Sequence, residues 1–255
     1  MSASPYKTEG IVLRRRRLGE SDRVVTFLVQ DGSLLRAVAK GAAKPASALA
    51  ARVEPFSVVR ALCAPGRSLD IVKEAHVVEG NARIRTQPEH TACASLIAEL
   101  LDRTSLEGLQ NPRLYDMTVA ALRAVNEGSA SQAACIACAH AFKTTALLGV
   151  RPQFDSCVTC GDAVCLFERG RGAFSFAEGG VVCASCAPST DSQLLDTATL
   201  AWCRVMVAET FGELLARDVP LEATFSALQF FQQWARTHFN VDLKSLNMLF
   251  TCGMF

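Results

Sequence analysis

The chain has 255 residues, half of them hydrophobic, and its 26 Lys and Arg nearly balance 25 Asp and Glu. A chain of this length can bury ordinary cores in two or three domains, and we expect a globular protein. No apolar run approaches the roughly 20 residues that span a bilayer, and residues 1–8 are polar, so the sequence predicts neither a membrane protein nor a secreted one. Eleven cysteines, an odd number, favour a reducing compartment and predict a cytoplasmic protein.

Charge is divided unevenly along the chain. Residues 1–80 contain 13 Lys and Arg against 8 Asp and Glu, a balance of +5, whereas the remainder contains 13 against 17, a balance of −4. We therefore expect any surface that binds a polyanion to lie in the first 80 residues.

The first 80 residues are typical of short strands joined by turns. Runs rich in β-branched residues predict strands over 10–17, 23–29, 34–40, 53–63 and 69–78. The Asp-Gly pair between the second and third runs supplies the positive φ that a hairpin turn requires. This pattern predicts a five-stranded barrel of the oligonucleotide-binding (OB) type over residues 1–80, with an SH3-like barrel as the alternative.

Basic residues accompany these strands. Residues 14–17 are four consecutive arginines, of which at most two can line one surface because alternate side chains of a strand point to opposite faces. A solvated edge strand explains this run alone equally well. Further basic residues on adjoining strands and loops favour a groove that follows a phosphate backbone. The predicted DNA-binding residues are Arg14, Arg15, Arg16, Arg17, Arg23, Arg36, Lys40, Lys44 and Arg67.

Aromatic residues that could stack on bases are few in this domain. Tyr6, Phe27 and Phe56 are its only aromatic residues, and we expect the two phenylalanines to be core residues.

From residue 81 onward the hydrophobic period becomes helical. One helix carries an apolar stripe that begins at Ala94, a second opens at Asn111-Pro112 and ends at Gly128, and a third is capped by Ser131. Two more helices are predicted over residues 192–216 and 221–239, and together they complete a bundle.

Several cysteines and one histidine fall within these helices. Cys135 and Cys138 imitate a metal-binding pair, but their alanine-rich helical surroundings predict packing, as they do for His140. The other cysteines in apolar segments are expected to be small buried hydrophobes. These are Cys63, Cys93, Cys203 and Cys252.

Two Cys-x2-Cys pairs interrupt the helical region. Cys157 and Cys160 precede Cys183 and Cys186 by 22 intervening residues. Four thiolates at this spacing can converge on a tetrahedral Zn²⁺ at about 2.3 Å. The sequence therefore predicts one structural zinc ion in a ribbon inserted at about residues 153–190. Four cysteine ligands leave no open position for a catalytic water.

The segment between the pairs suits a ribbon. Gly161 follows the first pair, where a knuckle turns sharply, and Phe167, Phe174 and Phe176 alternate with small and charged residues. Buried free cysteines or disulfides are the alternative interpretation of the four cysteines.

Two other functions fit part of the sequence. A zinc-stabilised protein-interaction adaptor would need no DNA binding. A thiol oxidoreductase would use one Cys-x2-Cys as its redox pair, but a glycine-rich turn rather than a helix start follows the first pair. No phosphate-binding Gly-x4-Gly-Lys-Ser/Thr loop is found, and we expect a protein that is not an enzyme.

Several short segments occur in a specific order along the chain. They are TEGIVL at 8–13, GESDR at 19–23, AKGA at 39–42, PF at 55–56, LLGVRP at 147–152, CVTCG at 157–161, HF at 238–239 and LKS at 243–245. In this order and spacing the chain resembles the RecO family of bacterial recombination mediators over nearly its whole length.

The resemblance implies an α+β protein with an N-terminal OB-type barrel, residues 1–80, and a helical domain, residues 81–255, that carries an inserted zinc ribbon with four cysteine ligands. It implies binding of single- and double-stranded DNA and annealing of complementary strands in the nucleoid. It also implies work with RecR, the C-terminal tail of the single-stranded DNA-binding protein and RecF in loading the RecA recombinase.

The chain departs from the family pattern in one loop. Family members commonly place further Lys or Arg after the Lys-Gly-Ala segment, whereas here Lys44 is the one basic residue among Ala43, Pro45, Ala46 and Ala48. We expect this loop to bind DNA less strongly than the corresponding loop of those family members.

Overall fold

The structure is a computed structural model that describes residues 4–44, 46–105, 110–164 and 170–251. The predicted positions of Phe167 and Cys252 lie outside these residues. The chain divides into two compact units, Met1–Asn126 and Glu127–Phe255. Within the described ranges, no helix is both long and apolar enough to cross a membrane.

Five strands form a closed barrel in the first unit. They are β1 (Tyr6–Leu18), β2 (Asp22–Val29), β3 (Leu34–Ala39), β4 (Val58–Ala64) and β5 (Asp70–Glu79), in the order β1-β2-β3-β5-β4. β3 and β5 pair in parallel over three residue pairs, and the other neighbours are antiparallel. The predicted OB-type barrel is therefore confirmed. Phe27 lies in its hydrophobic interior, and Phe56 is buried as predicted.

The segment before β4 differs from the predicted strand at 53–63. β4 begins only at Val58, and a short helix, α1 (Ala48–Arg52), precedes residues 53–57; Ser47 caps it by accepting a hydrogen bond from the backbone N–H of Ala50. Phe56 then adopts a positive φ of 67°, which ends extended backbone before β4 can begin. Val53, Leu49 and Ala50 pack on the barrel interior, so α1 covers one end of the barrel.

The hairpin turn between β2 and β3 lies against another backbone segment. Gly32 has a φ of +82°, and a Cβ built on it would lie 1.9 Å from the carbonyl oxygen of Asn111. The Asp31 carboxylate accepts hydrogen bonds from the backbone N–H and the hydroxyl of Ser33, which fixes the turn. The turn therefore needs glycine for its conformation and for its close contact.

We expect Gly32→Ala to destabilise the first unit by about 2 kcal/mol, because it combines a left-handed backbone with a steric clash. Gly19→Ala is the matched control, since Gly19 has a φ of +60° with no atom within 4 Å of a built Cβ, and should destabilise by about 1 kcal/mol. Urea unfolding followed by circular dichroism measures both. Equal losses would contradict the steric part of this prediction.

Three helices follow the barrel in the first unit. They are α2 (Ala82–Thr86), α3 (Pro88–Thr104) and α4 (Pro112–Glu127). The apolar stripe predicted from Ala94 is buried in α3, and Pro112 opens α4 as predicted. The predicted domain boundary between residues 80 and 81 stays a prediction.

The second unit begins with α5 (Ala130–Leu147). Its cap is Ser129 and not the predicted Ser131, because Ser129 and Gln132 exchange hydrogen bonds with each other's backbone N–H. Cys135, Cys138 and His140 are fully buried in this helix, which confirms that they are packing residues.

A small sheet carries the cysteine ribbon. Its strands are β6 (Arg171–Ser175), β7 (Gly180–Val182) and β8 (Gln193–Asp196), in the order β7-β6-β8. The predicted single helix over 192–216 is wrong. Its first residues form β8 on the open edge of β6, and the rest splits into α6 (Thr197–Ala208) and α7 (Phe211–Leu215). α7 restarts at a capping box between Thr210 and Glu213.

Aromatic side chains join this sheet to the last long helix. That helix, α8 (Leu221–Phe239), has the predicted bounds, and α9 (Lys244–Thr251) follows it. The Phe174 ring in β6 lies 4.8 Å from the Phe230 ring of α8 and 6.2 Å from the Trp234 ring, and Phe176 lies 4.9 Å from Phe230. The ribbon therefore shares its core with the bundle of the second unit.

Candidate metal centre and nucleic-acid interface

The four predicted metal ligands lie together. Cys157, Cys160, Cys183 and Cys186 bring their sulfur atoms within 4.8 Å of one another, and in the described part of the chain they are the one such group of His, Cys or acidic residues. Cys157 is buried, Cys160 is exposed, and the other two are half-buried.

Backbone turns position these cysteines. The backbone N–H of Gly161 donates to the carbonyl of Cys157 at 2.8 Å, and Gly161 has a φ of +82° as the knuckle requires. The backbone N–H of Cys183 donates to the Cys157 sulfur at 3.3 Å. Amide donors from Cys183 and then Cys160 lower the pKa of the Cys157 thiol to about 6, because they stabilise the thiolate.

The geometry fits a tetrahedral metal ion. Four sulfurs at about 2.3 Å from one Zn²⁺ lie about 3.8 Å apart along each edge of the tetrahedron. The sulfurs of Cys160 and Cys183 are 3.7 Å apart, which is far longer than the roughly 2.05 Å of a disulfide. The cluster can therefore hold a metal ion.

The remaining described cysteines have a different environment. Burial raises the pKa of the Cys63 thiol to about 11 and that of Cys135 to about 12, and it raises the pKa values of Cys93, Cys138 and Cys203 as well. These groups remain neutral thiols near neutral pH, so they suit packing and not metal binding. Burial also lowers the pKa of His140 to about 3, which excludes a protonated imidazole there at neutral pH.

Three of the predicted DNA-binding arginines share the outer face of the barrel. Arg14 lies opposite Thr26 of β2, which lies opposite Arg36 of β3, and Arg16 lies two residues further along β1. Residues directly opposite in an antiparallel pair point to the same face. We call Arg14, Arg16 and Arg36 the outer arginine row. All three are exposed.

Arg14 differs from a fully solvated arginine because it is paired with an acidic residue. Its guanidinium forms an ion pair of 3.0 Å with Asp102 of α3, whose side chain is only 14% exposed. Arg14 therefore has a partner within the first unit, and a phosphate would have to share its guanidinium with that carboxylate.

Arg15 points the other way. It lies opposite Val25, a residue of the barrel interior. Its guanidinium donates to both carboxylate oxygens of Glu54, at 2.9 and 2.7 Å, and to the Ala50 carbonyl at 3.2 Å. Arg15 thus fastens α1 to the end of the barrel, a role that the sequence did not indicate.

Lys40 and Lys44 are exposed in the connection after β3, which we call the lysine loop (residues 40–44). Arg23, at the start of β2, is half-buried and donates from Nε to the Ala42 carbonyl at 3.1 Å. The structure therefore places Arg23 beneath the loop, and its guanidinium is engaged with backbone.

Two predicted residues lie apart from these groups. Arg17 is exposed opposite Arg23 at the end of β1, and Arg67 is exposed in the connection from β4 to β5. β5 pairs from Asp70 with Ala37, the neighbour of Arg36, so this connection leads to the strand beside the outer arginine row. In OB folds the usual oligonucleotide surface consists of the face of strands 2 and 3, the connection between strands 1 and 2, and the connection between strands 4 and 5.

Two family models together match most of the chain. Residues 1–81 match the family model "Recombination protein O N terminal", and residues 85–247 match "Recombination protein O C terminal". The chain is 32% identical over 248 residues to the DNA repair protein RecO of Bifidobacterium longum strain DJO10A, covering 96% of this chain and 99% of the relative. The chain belongs to the RecO family. The DNA repair protein RecO of Roseiflexus sp. strain RS-1 is 36% identical over 182 residues, or 71% of this chain and 62% of the relative.

The structure explains two of the RecO-like segments that the sequence analysis quoted. In the segment at 19–23, the Asp22 carboxylate accepts a hydrogen bond of 2.8 Å from the Gly41 backbone N–H, and Gly41 belongs to the segment at 39–42. Gly41 has a φ of +70°. Sequence reasoning missed Asp22 because an acidic residue beside lysines does not fit a search for positive charge.

Proposed function

We propose that this chain is a recombination mediator that binds single- and double-stranded DNA through the outer face of its N-terminal barrel. The observation that carries this proposal is the outer arginine row, whose members lie on β1 and β3, on either side of β2, in an OB-type barrel. An exposed row of guanidinium groups can neutralise successive phosphates without reading sequence.

The lysine loop extends this surface. Lys40 and Lys44 add two exposed ammonium groups at the end of β3. Together with the outer arginine row they give the proposed surface five exposed basic residues, and one of these, Arg14, would share its guanidinium between a phosphate and Asp102. Arg17 and Arg67 would contribute at its edges. Arg15 and Arg23 serve the structure of the barrel end instead.

We propose a mechanism without chemical catalysis. A surface that screens the charge of two strands at once would allow complementary strands to anneal without a nucleotide fuel. Family membership supports the further proposal that the chain acts with RecR, RecF and the C-terminal tail of the single-stranded DNA-binding protein to load RecA on DNA in the nucleoid.

We also propose that the four-cysteine cluster holds one structural Zn²⁺. Thiolate ligands in a four-sulfur arrangement suit this ion, and four cysteines would fill its coordination shell. A redox role for one pair fits less well, because all four sulfurs gather around one point. Metal analysis of purified protein distinguishes the two, since a thiol oxidoreductase would contain no metal and would readily form a disulfide.

Salt dependence tests the DNA-binding proposal. If about five phosphates are neutralised, the logarithm of the association constant for single strands should fall with the logarithm of salt concentration at a slope near −3.5, from roughly −0.7 per contact. Fluorescence anisotropy with a labelled oligonucleotide measures this slope between about 50 and 200 mM salt. An affinity that does not change with salt would contradict the proposal.

A gel-shift experiment with single-stranded oligonucleotides at moderate salt is the first experiment to do. A protein-interaction adaptor that carries basic residues only for solubility would give no shift. A shift that disappears at high salt supports the mediator.

A further inference from the structure

An acidic residue lies in the middle of the proposed phosphate-binding surface. Asp22 begins β2, and its Oδ1 accepts hydrogen bonds from the backbone N–H of Gly41 at 2.8 Å and from the Ser21 hydroxyl at 2.9 Å. The backbone N–H of Ala43 donates to the Ser21 carbonyl at 2.8 Å. The connection between β1 and β2 therefore holds the lysine loop from one side.

Arg23 holds the same loop through its Ala42 carbonyl, at 3.1 Å from Nε. Three hydrogen bonds thus hold three successive loop residues, Gly41, Ala42 and Ala43. Their partners, Ser21, Asp22 and Arg23, are also successive and lie where β2 begins. Lys40 and Lys44 flank the three loop residues on either side.

The negative charge of Asp22 is unfavourable for binding phosphate at this position. The pKa of its carboxyl is lowered, first by the Gly41 N–H and the Ser21 hydroxyl and also by the positive charges of Lys40 and Lys44, so it is ionised near neutral pH. A carboxylate beside two lysines reduces the positive potential that attracts phosphate. Its presence is explained if ordering the loop matters more for DNA binding than one unit of charge.

We infer that Asp22 and Arg23 are positioning residues that order the lysine loop for the phosphate backbone. The inference rests on the proposed DNA binding and deepens it. It assigns roles to both residues of the Asp22-Arg23 pair in which neither needs to touch DNA.

Loop order affects affinity through entropy. A backbone residue that becomes fixed only on binding loses conformational entropy at that step, and this loss weakens the binding. The three hydrogen bonds fix the loop before DNA arrives. Loss of one net hydrogen bond, worth about 1 kcal/mol, corresponds to a loss of affinity of about fivefold.

Two substitutions at Asp22 separate position from charge. Asp22→Asn removes the negative charge but keeps an oxygen that accepts from Gly41, whereas Asp22→Ala removes both. We expect Asp22→Asn to bind single-stranded oligonucleotide about twofold more tightly than wild type. We expect Asp22→Ala to bind about fivefold more weakly than Asp22→Asn. Equal affinities of the two variants, or tighter binding by Asp22→Ala, would overturn the inference.

A second variant covers the case in which Asp22→Ala does not fold. Arg23→Lys keeps the positive charge but loses the planar group that reaches Ala42. We expect it to weaken binding about threefold, and an unchanged affinity would overturn the assignment of Arg23 as a positioning residue.

Hydrogen exchange of the DNA-free variants supplies a readout that does not depend on binding. In Asp22→Ala the amides of Gly41 and Ala43 should exchange faster, while Val25 and Ala37 in the barrel interior keep their protection. Unchanged exchange at Gly41 and Ala43 would overturn the inference.

The outcomes separate the inference from the proposed function. If wild-type protein binds no oligonucleotide, and Lys40→Ala and Lys44→Ala bind none either, the proposed function itself is refuted. If wild-type protein binds DNA but Asp22→Ala and Asp22→Asn have equal affinities, only the positioning role is refuted.

Discussion

Cys157→Ser is expected to destabilise the second unit by at least about 3 kcal/mol and to abolish binding of the proposed zinc ion, because a structural zinc contributes on the order of 10 kcal/mol that is coupled to folding. The effect should extend beyond the ribbon. Phe174 and Phe176 pack on α8, so a ribbon without its metal would also loosen the aromatic core around Phe230 and Trp234.

Cys135→Ser is the matched control. It makes the same chemical change at a buried cysteine of α5, where a serine hydroxyl can bond to the helix backbone, and should destabilise by about 1–2 kcal/mol without loss of metal. The two tryptophans, Trp202 and Trp234, both lie in the second unit, so tryptophan fluorescence during denaturation reports that unit alone. Metal analysis gives the zinc content of each variant. Equal destabilisation by the two substitutions would mean that the ligand assignment is wrong.

The same experiment bears on the independence of the two units. The barrel contains the proposed DNA surface and none of the four cysteines. We therefore expect Cys157→Ser protein to retain single-strand affinity within about twofold at temperatures where the first unit is folded.

Charge reversal at Arg16 and Arg36 together is expected to weaken single-strand binding roughly 100-fold at low salt. Each substitution removes a phosphate contact and adds a repulsive charge, and the slope of the salt dependence should become shallower by about 1.4. Fluorescence anisotropy over a salt series measures the affinity and the slope. Each single variant should show a smaller loss in the same direction.

A control with the same change in net charge distinguishes local contact from general repulsion. Arg60 and Lys73 are exposed on β4 and β5 and do not belong to the outer arginine row; Arg60 lies opposite Glu9 of β1 and forms an ion pair of 2.9 Å with it. Arg60→Glu with Lys73→Glu should reduce affinity less than about threefold, because neither side chain is among the residues proposed to neutralise a phosphate. Equal losses in the two double variants would show that DNA binding depends only on net charge.

The barrel and the metal ligands could be predicted from local sequence. The strands of the barrel contain β-branched runs bounded by turn residues, and the Asp-Gly turn at Gly32 marks the hairpin between β2 and β3. The four cysteines are spaced as two knuckles, a pattern that depends little on the rest of the chain. Both features therefore follow from short-range chemistry.

The orientation of the arginine run could not be predicted, because it depends on one irregularity of β1. Val12 pairs with Phe27 and Arg14 pairs with Thr26, so Leu13 is the extra residue of a bulge. The bulge reverses the alternation that sequence reasoning would extend from Val12. Arg14 and Arg16 consequently face outward, while Arg15 points toward α1.

Pairing over a long separation explains the error at residues 192–216. Residues 193–196 form β8 because β6 offers an open edge more than 15 residues away in sequence, and this tertiary partner overrides a local helical pattern. The capping boxes at Ser129 and Thr210 are local, because each needs only a Gln or Glu three positions later. The sequence contains both patterns, so both helix starts were predictable from it.

The short parallel seam between β3 and β5 bears on how the protein behaves at high concentration. β5 continues past its last pair with β3 at Val72, and in the described ranges no other strand joins that side of residues 73–79. Val77 and Val78 are nearly half exposed there, which would invite a strand from a second molecule. Lys73, Glu74 and His76 precede them on the same strand and are exposed, and solutions of the protein should stay free of strand-to-strand aggregates while the charges of Lys73 and Glu74 remain.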